Sequence, residues 1–261
     1  IGWNNRRPPF TRAAVRRALA LGIDREQIVN ALLFGHGTLA TSTIPPWHPF
    51  YPEDVDPLPY DPAEAARLLA AEGWADRTGD GVREGPDGRP LRFALLTSDA
   101  SLNRAVAEVV QNQLRRIGAA VEVQVREFQT VLAQHKARDF DAVLTTWVLD
   151  NFQAASAPMA LFHSRWAAVP LSANRSGYAN PRADSLIERG AAATDPDEAR
   201  RVWRDFVLLM NEEQPVTFLF WLDELAAARR RVQGIEMDPR GELLSIGRWW
   251  VAGGGVAAAR E

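Results

Sequence analysis

The stretch from Leu91 to Arg126 constrains the fold more than any other part of the chain. Leu91 to Thr97 is an apolar run of strand length. Leu102, Val106, Val109, Val110, Leu114 and Ile117 then recur at helical spacing and stop at Gly118. Val121, Val123 and Val125 alternate with Glu122, Gln124 and Arg126, the period-two pattern of a strand with two unlike faces. Strand, helix and strand in this order predict a crossover between parallel strands. A short helix near Phe128 to Ala137 and a further strand over Phe140 to Trp147 extend the pattern. The class is therefore α/β, with a mostly parallel sheet flanked by helices.

Several helices outside this unit carry their own start signals. Asp24-Arg-Glu-Gln27 predicts a capping box, with Asp24 accepting from free N–H groups and Gln27 reaching back. Asp61-Pro62-Ala63-Glu64 places a proline where a helix tolerates it, and that helix should run through Leu68 and Leu69 to Gly73. Asp195-Pro196-Asp197-Glu198 repeats the device ahead of Val202, Phe206 and Leu209, and Asn180-Pro181 does so ahead of Leu186 and Ile187. Two segments lack periodicity. Thr38 to Tyr60 holds six prolines and predicts an ordered, irregular wrap; Val148 to Gly177 is also expected to be irregular. Long ordered loops often carry binding sites.

Composition removes several functional classes. There is no cysteine, so disulfides, zinc thiolates and cysteine nucleophiles are excluded together. The net charge of −3 gives no general attraction to nucleic acid. Arg229-Arg230-Arg231 reads as a solvated surface run. No apolar run approaches the roughly 20 residues that span a bilayer. Ile1 is not an initiating residue, so the sequence reads as part of a longer one, with any secretion signal upstream. The histidines lack zinc-pair spacing, and no nucleophile elbow, phosphate loop or dinucleotide fingerprint occurs. Asp76, Asp80 and Glu84 partly follow a calcium loop, but the spacing is too short, and two glycine turns explain them better. No catalytic residue, metal or cofactor is expected.

Aromatic content in loops stands out instead. Of nine tryptophans, Trp47, Trp147 and Trp166 fall at strand ends or in irregular segments. Such residues usually anchor loops to a core. Trp147 differs because it closes an expected strand and Asp150 follows in the loop. Ligands of open α/β sheets bind beyond the carboxyl ends of the strands. An aromatic wall beside a carboxylate suits an ammonium group.

An ordered set of short motifs carries a resemblance. It runs through Asn5-Arg-Arg-Pro-Pro-Phe10, Ile23-Asp24-Arg25, Ile44-Pro-Pro46, Tyr60-Asp61-Pro62 and Gly73-Trp74. It continues through Gly79-Asp-Gly81, Ile117-Gly118, Phe140-Asp141, and Gly177-Tyr178 with Asn180-Pro181. In this order the sequence resembles the family 5 extracellular solute-binding proteins, the group that binds oligopeptides, dipeptides and nickel. The resemblance implies a type II, dipeptide-binding-like lobe of a periplasmic binding protein. Residues 1–215 would form the C-terminal, ligand-binding lobe. Residues 216–251 would be a hinge strand and a segment returning to the N-terminal lobe, and 252–261 a disordered tail. Peptide-binding members carry Trp-x-x-Asp in this lobe, whose aspartate takes the ligand's α-ammonium. Trp147-Val-Leu-Asp150 matches it. The implied ligand-binding set is Trp147, Asp150, Asn151, Asn174 and Tyr178, the last two equally readable as structural. The sequence departs from the family after Asp150, where Asn151-Phe152 stands in place of the usual Asp-Pro. The implied role is capture, without chemistry, of a peptide or similar small solute on the extracytoplasmic side, for an ABC importer. The implied partners are the permease subunits and the N-terminal lobe, with no nucleic acid. The alternatives are an effector-sensing lobe fused to a DNA-binding domain, or a nickel chelate or sugar as ligand.

Overall fold

The computed structural model describes residues 1–148, 153–238, 241 and 243–252 in two units, Ile1–Leu222 and Asp223–Glu261. In chain order the first unit contains β1 (Gly2–Trp3), α1 (Ala13–Leu21), α2 (Arg25–Leu32), β2 (Gly37–Leu39), α3 (Pro62–Ala71), β3 (Arg92–Ser98), α4 (Ser101–Arg115) and β4 (Ala120–Arg126). It continues with α5 (Phe128–Ala137), β5 (Ala142–Leu144), α6 (Ser156–Phe162), α7 (Pro181–Ala192), α8 (Pro196–Glu213) and β6 (Phe220–Leu222).

The expected crossover forms. β3 and β4 pair in parallel from Arg92↔Ala120 to Ser98↔Arg126, and β5 pairs with β3 in parallel on its other side. β1 closes the sheet antiparallel to β5, giving the order β1-β5-β3-β4. α4 buries Val106, Val110 and Leu114. It ends three residues before Gly118, whose φ of 88° is left-handed, and a Cβ there would lie 2.6 Å from the Arg83 side chain.

The helix starts obey their signals. The carboxylate of Asp61 accepts from Glu64 N at 2.8 Å, Asp195 accepts from Asp197 N at 3.1 Å, and Asn180 accepts from Arg182 N at 2.9 Å. α3 ends two residues before Gly73, at φ +83°. The box at Asp24 is only half formed. Asp24 accepts from Gln27 N at 2.8 Å, but Gln27 Oε1 accepts instead from Gln113 Nε2 of α4 at 2.8 Å. Gln113 also takes the Asp24 N–H at 3.0 Å, so a buried glutamine of another helix supplies the reciprocal half.

Two large hydrophobic clusters fill this unit beside a small one of Leu96, Val131, Phe140 and Val143. One lies around the sheet with α1, α3 and α4, and at its centre Trp3, Phe10 and Phe93 pack with centroids 5.1 to 5.9 Å apart. The other joins α6, α7 and α8 through Phe162, Ile187, Trp203, Phe206 and Met210. The irregular wrap from Thr38 to Tyr60 is anchored by buried Ile44, Val55 and Leu58. An ion pair of 2.7 Å from Arg204 on α8 to Asp54 holds it further. Arg16 is 3% exposed and ties the entry of α1 to the end of α8. Its guanidinium donates to the carbonyls of Phe10, Glu213 and Gln214 at 2.6 to 3.1 Å. Burial lowers its pKa to about 10, which leaves it charged at neutral pH.

Three expectations are corrected. The strand over Phe140 to Trp147 shrinks to Ala142–Leu144. On one side Phe140 and Asp141 are held by Asn4, and on the other the ladder ends at Thr97↔Leu144, where β3 turns towards α4. Thr145 to Val148 therefore leave the sheet, and Trp147 does not close a strand. The stretch from Val148 to Gly177 is not uniformly irregular, because α6 forms within it and buries Ala157, Leu161 and Phe162 on one face.

Residues Val216 to Leu222 are built into the first unit. Thr217 N donates to Ile1 O at 2.9 Å, Gly2 bridges Val216, and β6 pairs antiparallel with β2. The second unit holds a small ladder of β7 (Val232–Gln233) and β8 (Trp250–Val251). Ser245 Oγ links Glu236 to Trp249 Nε1 there, and Arg248 pairs with Glu236 at 2.9 Å. Leu225, Met237, Leu243, Leu244, Ile246 and Trp250 are all exposed. Of the expected disordered tail, 252–261, Ala252 donates from its N–H to Arg231 O at 2.7 Å, and 253–261 lie outside the described residues.

Candidate functional site

In a parallel sheet the carboxyl ends of the strands share one edge. Here that edge carries Ser98 at the end of β3, Phe128 opening α5 after β4, and the Thr145–Val148 segment beyond β5. Glu127 caps α5 by accepting from Gln129 N at 2.8 Å and Thr130 N at 3.2 Å, and Phe128 remains 52% exposed. Trp147 is 38% exposed. It is an accessible aromatic surface, as the sequence suggested, although it reaches that position from a loop.

Trp147 has close company. The Arg175 guanidinium carbon lies 4.9 Å from its ring centroid, a cation–π distance. The His135 ring stands edge-on to it at 6.4 Å and edge-on to Phe140 at 5.1 Å. Arg175 Nη1 is 3.2 Å from His135 Nδ1, and because guanidinium only donates, Nδ1 accepts. Burial, and then the charge of Arg175, lower the His135 pKa to about 3, so the imidazole is neutral under ordinary conditions. Burial also lowers the Arg175 pKa.

Asn174 is fully buried. Its Nδ2 donates to Tyr178 O at 2.8 Å and His163 O at 3.3 Å, and its Oδ1 accepts from Tyr178 N at 3.1 Å and Ser176 Oγ at 3.2 Å. All its hydrogen-bonding capacity is turned on its own loop. Tyr178 is buried against Phe162, and burial followed by the charge of Glu213 raises its pKa. Asp150 and Asn151 lie outside the described residues. Asp184, in the first turn of α7, accepts from Ser164 N at 2.8 Å. The oxygens of Asp76, Asp80 and Glu84 come within 4.8 Å of one another. Each carboxylate accepts local donors, namely Gly79 N and Gly81 N on Asp76, Val82 N on Asp80, and Arg77 N with Thr78 Oγ1 on Glu84, as turns require.

Sequence reasoning missed Phe128, His135 and Arg175. Phe128 had a readable signal, because an aromatic that opens a helix straight after a parallel strand stands on the ligand edge. Arg175 had none, since its stack on Trp147 is a long-range contact.

Residues 1–168 match the family described as bacterial extracellular solute-binding proteins, family 5 Middle. The chain belongs to this family. It is 32% identical over 257 residues to the oligopeptide-binding protein AppA of Bacillus subtilis, covering 97% of this chain and 46% of that protein. It is 26% identical to di/tripeptide-binding protein 1 of Pseudomonas aeruginosa, covering 92% of this chain and 43% of that one. The structure of Bacillus subtilis AppA in complex with a nonapeptide superposes with a TM-score of 0.82 and 30% identity, covering 97% of this chain and 50% of that one. NikZ from Campylobacter jejuni in complex with Ni(L-His) superposes with a TM-score of 0.81 at 21% identity, covering 95% and 50%, which shows the fold alone. The chain thus spans about half the length of the curated family 5 relatives it matches. The type II binding-protein lobe implied by the sequence motifs is the fold observed.

Proposed function

We propose that this chain is a ligand-capturing lobe of an extracytoplasmic solute-binding protein that serves an ABC importer, taking a peptide or a similar small solute without chemical change. The observation that carries the reading is the exposed Trp147 at the carboxyl edge of the sheet, in a chain 32% identical to an oligopeptide-binding protein. Asp150 fixes the amino end of the ligand by ion pairing, and Asn151 adjoins it. Trp147 and Phe128 supply apolar surface that excludes water. Asn174 and Tyr178 hold the loop that carries Arg175, which accounts for their burial and internal bonding. A second lobe of the intact protein covers the ligand by hinge closure, residues 223–251 pack against that lobe, and the closed complex docks on the permease.

Two measurements test this reading. Mass spectrometry of ligand that co-purifies with the intact protein should find peptides; a single non-peptide solute would replace the ligand class. In the intact protein, Asp150→Asn should weaken peptides with a free amino terminus by about tenfold or more and acetylated ones far less. Equal loss for both removes the assigned role of Asp150.

A further inference from the structure

We propose that Arg175 makes the Trp147 edge of the sheet a seat for an anionic group, so that the preferred ligand is an acidic or zwitterionic solute and, among peptides, one with a carboxylate close to its free amino end. This deepens the reading above and rests on Trp147 and Asp150 belonging to the pocket. The cation–π position on one face of Trp147 is filled from within the chain, by a guanidinium 4.9 Å from the ring centroid. A ligand ammonium cannot take that same place, and it meets repulsion beside it. The aromatic wall therefore presents positive charge.

The donor pattern of Arg175 points the same way. Among the described residues only Nη1 is engaged, on His135 Nδ1 at 3.2 Å. Nε is buried with no hydrogen-bond partner, and Nη2 has none among the described residues. Nε and Nη2 make up one forked edge of the guanidinium, the edge that matches the two oxygens of a carboxylate. A buried donor without an acceptor is costly, and an arriving carboxylate removes that cost. His135 cannot supply negative charge, and no carboxylate pairs with Arg175 among the described residues. Arg138 lies beside it, donating to Asn174 O at 3.0 Å, and adds to the positive field. Two residues separate Trp147 from Asp150, so three steps of chain span at most about 11 Å. If the ammonium of a solute rests on Asp150, a carboxylate a few bonds further along the same solute can reach Arg175.

The test uses the intact protein and two peptides of equal shape, Ala-Glu-Ala and Ala-Gln-Ala, titrated by calorimetry. The wild type should favour the glutamate peptide by about tenfold, as a charge-assisted hydrogen bond does. In Arg175→Gln the ratio should fall to near one. A wild-type ratio near one, or a ratio unchanged in Arg175→Gln, overturns the proposal. If neither peptide binds, the peptide reading fails by itself and a second readout decides the role of Arg175. The protein is labelled with 5-fluorotryptophan, and the Trp147 resonance is assigned through Trp147→Phe. Glutarate should shift this resonance and glutaramide should not. An equal response to both, or none to glutarate, overturns the anionic seat. These wild-type comparisons still decide the matter if Arg175→Gln fails to fold.

Discussion

Residues 1–222 and residues 223–252 solve the problem of burying apolar surface in opposite ways. The first region encloses Trp3, Phe10, Phe162, Trp203 and Phe206 almost completely. The second leaves Leu225 at 68% and Trp250 at 58% exposure, and its order rests on a two-residue ladder and a few polar links around Ser245. Composition does not separate them, since both are rich in large apolar residues. The difference is that, among the described residues, the second region closes no core of its own. A chain segment with that much apolar surface and so little burial gains its stability from whatever covers it.

The sharpest way to break this contrast is amide hydrogen exchange on the 261-residue chain. Amides of β3 and α4 should open only with global unfolding, at about 5–15 kcal/mol, while those of 223–252 should exchange with little protection. Equal protection in both regions would dissolve the distinction. Truncation comes next in size. Phe206→Ala should cost about 4 kcal/mol in denaturant unfolding, whereas Trp250→Ala should cost less than about 0.5 kcal/mol in this chain.

Acid should act on the first region through His135. The unfolded His135 protonates near the ordinary 6.5, but the folded one only near 3. Between these values the unfolded state binds the extra proton, so stability is full above pH 6.5 and falls as the pH drops. The slope is about 1.4 kcal/mol per pH unit, or about 2 kcal/mol from pH 6.5 to 5. His135→Gln should flatten that part of the stability curve, and an unchanged slope would remove His135 as its cause. The smallest effect is a lost cap, where Asp61→Ala should cost about 1 kcal/mol by thermal unfolding.

The sequence was legible where the determining interactions are local. Asp61, Asn180 and Asp195 cap their helices with donors a few residues away, and the period of Val121, Val123 and Val125 already names the strand. Where a distant partner decides, the sequence was mute. Gln27 turns away from its own helix because Gln113 is there to receive it. β5 is short because its neighbours stop, although its own residues favour a longer strand. The candidate site divides in the same way. Trp147 could be picked out as an exposed aromatic, but nothing near it announced Arg175 or His135. Asn174 and Tyr178 sit in a motif that function and loop packing could equally require, and their burial turns the balance to packing.

The pairing of the first residues with Val216 and Thr217 has a consequence for how this unit can be handled. Thr217 N and Ile1 O are 2.9 Å apart, so residue 217 returns to the side of residue 1, five residues before the unit ends at Leu222. A body with adjacent ends behaves as a cassette. It can be spliced into a surface loop of an unrelated host, because the strand spacing of roughly 5 Å at Thr217 and the five residues to Leu222, at most about 18 Å, bound the gap the host must offer. The segment Ile1–Leu222 is therefore a natural candidate for transplantation as a sensing insert.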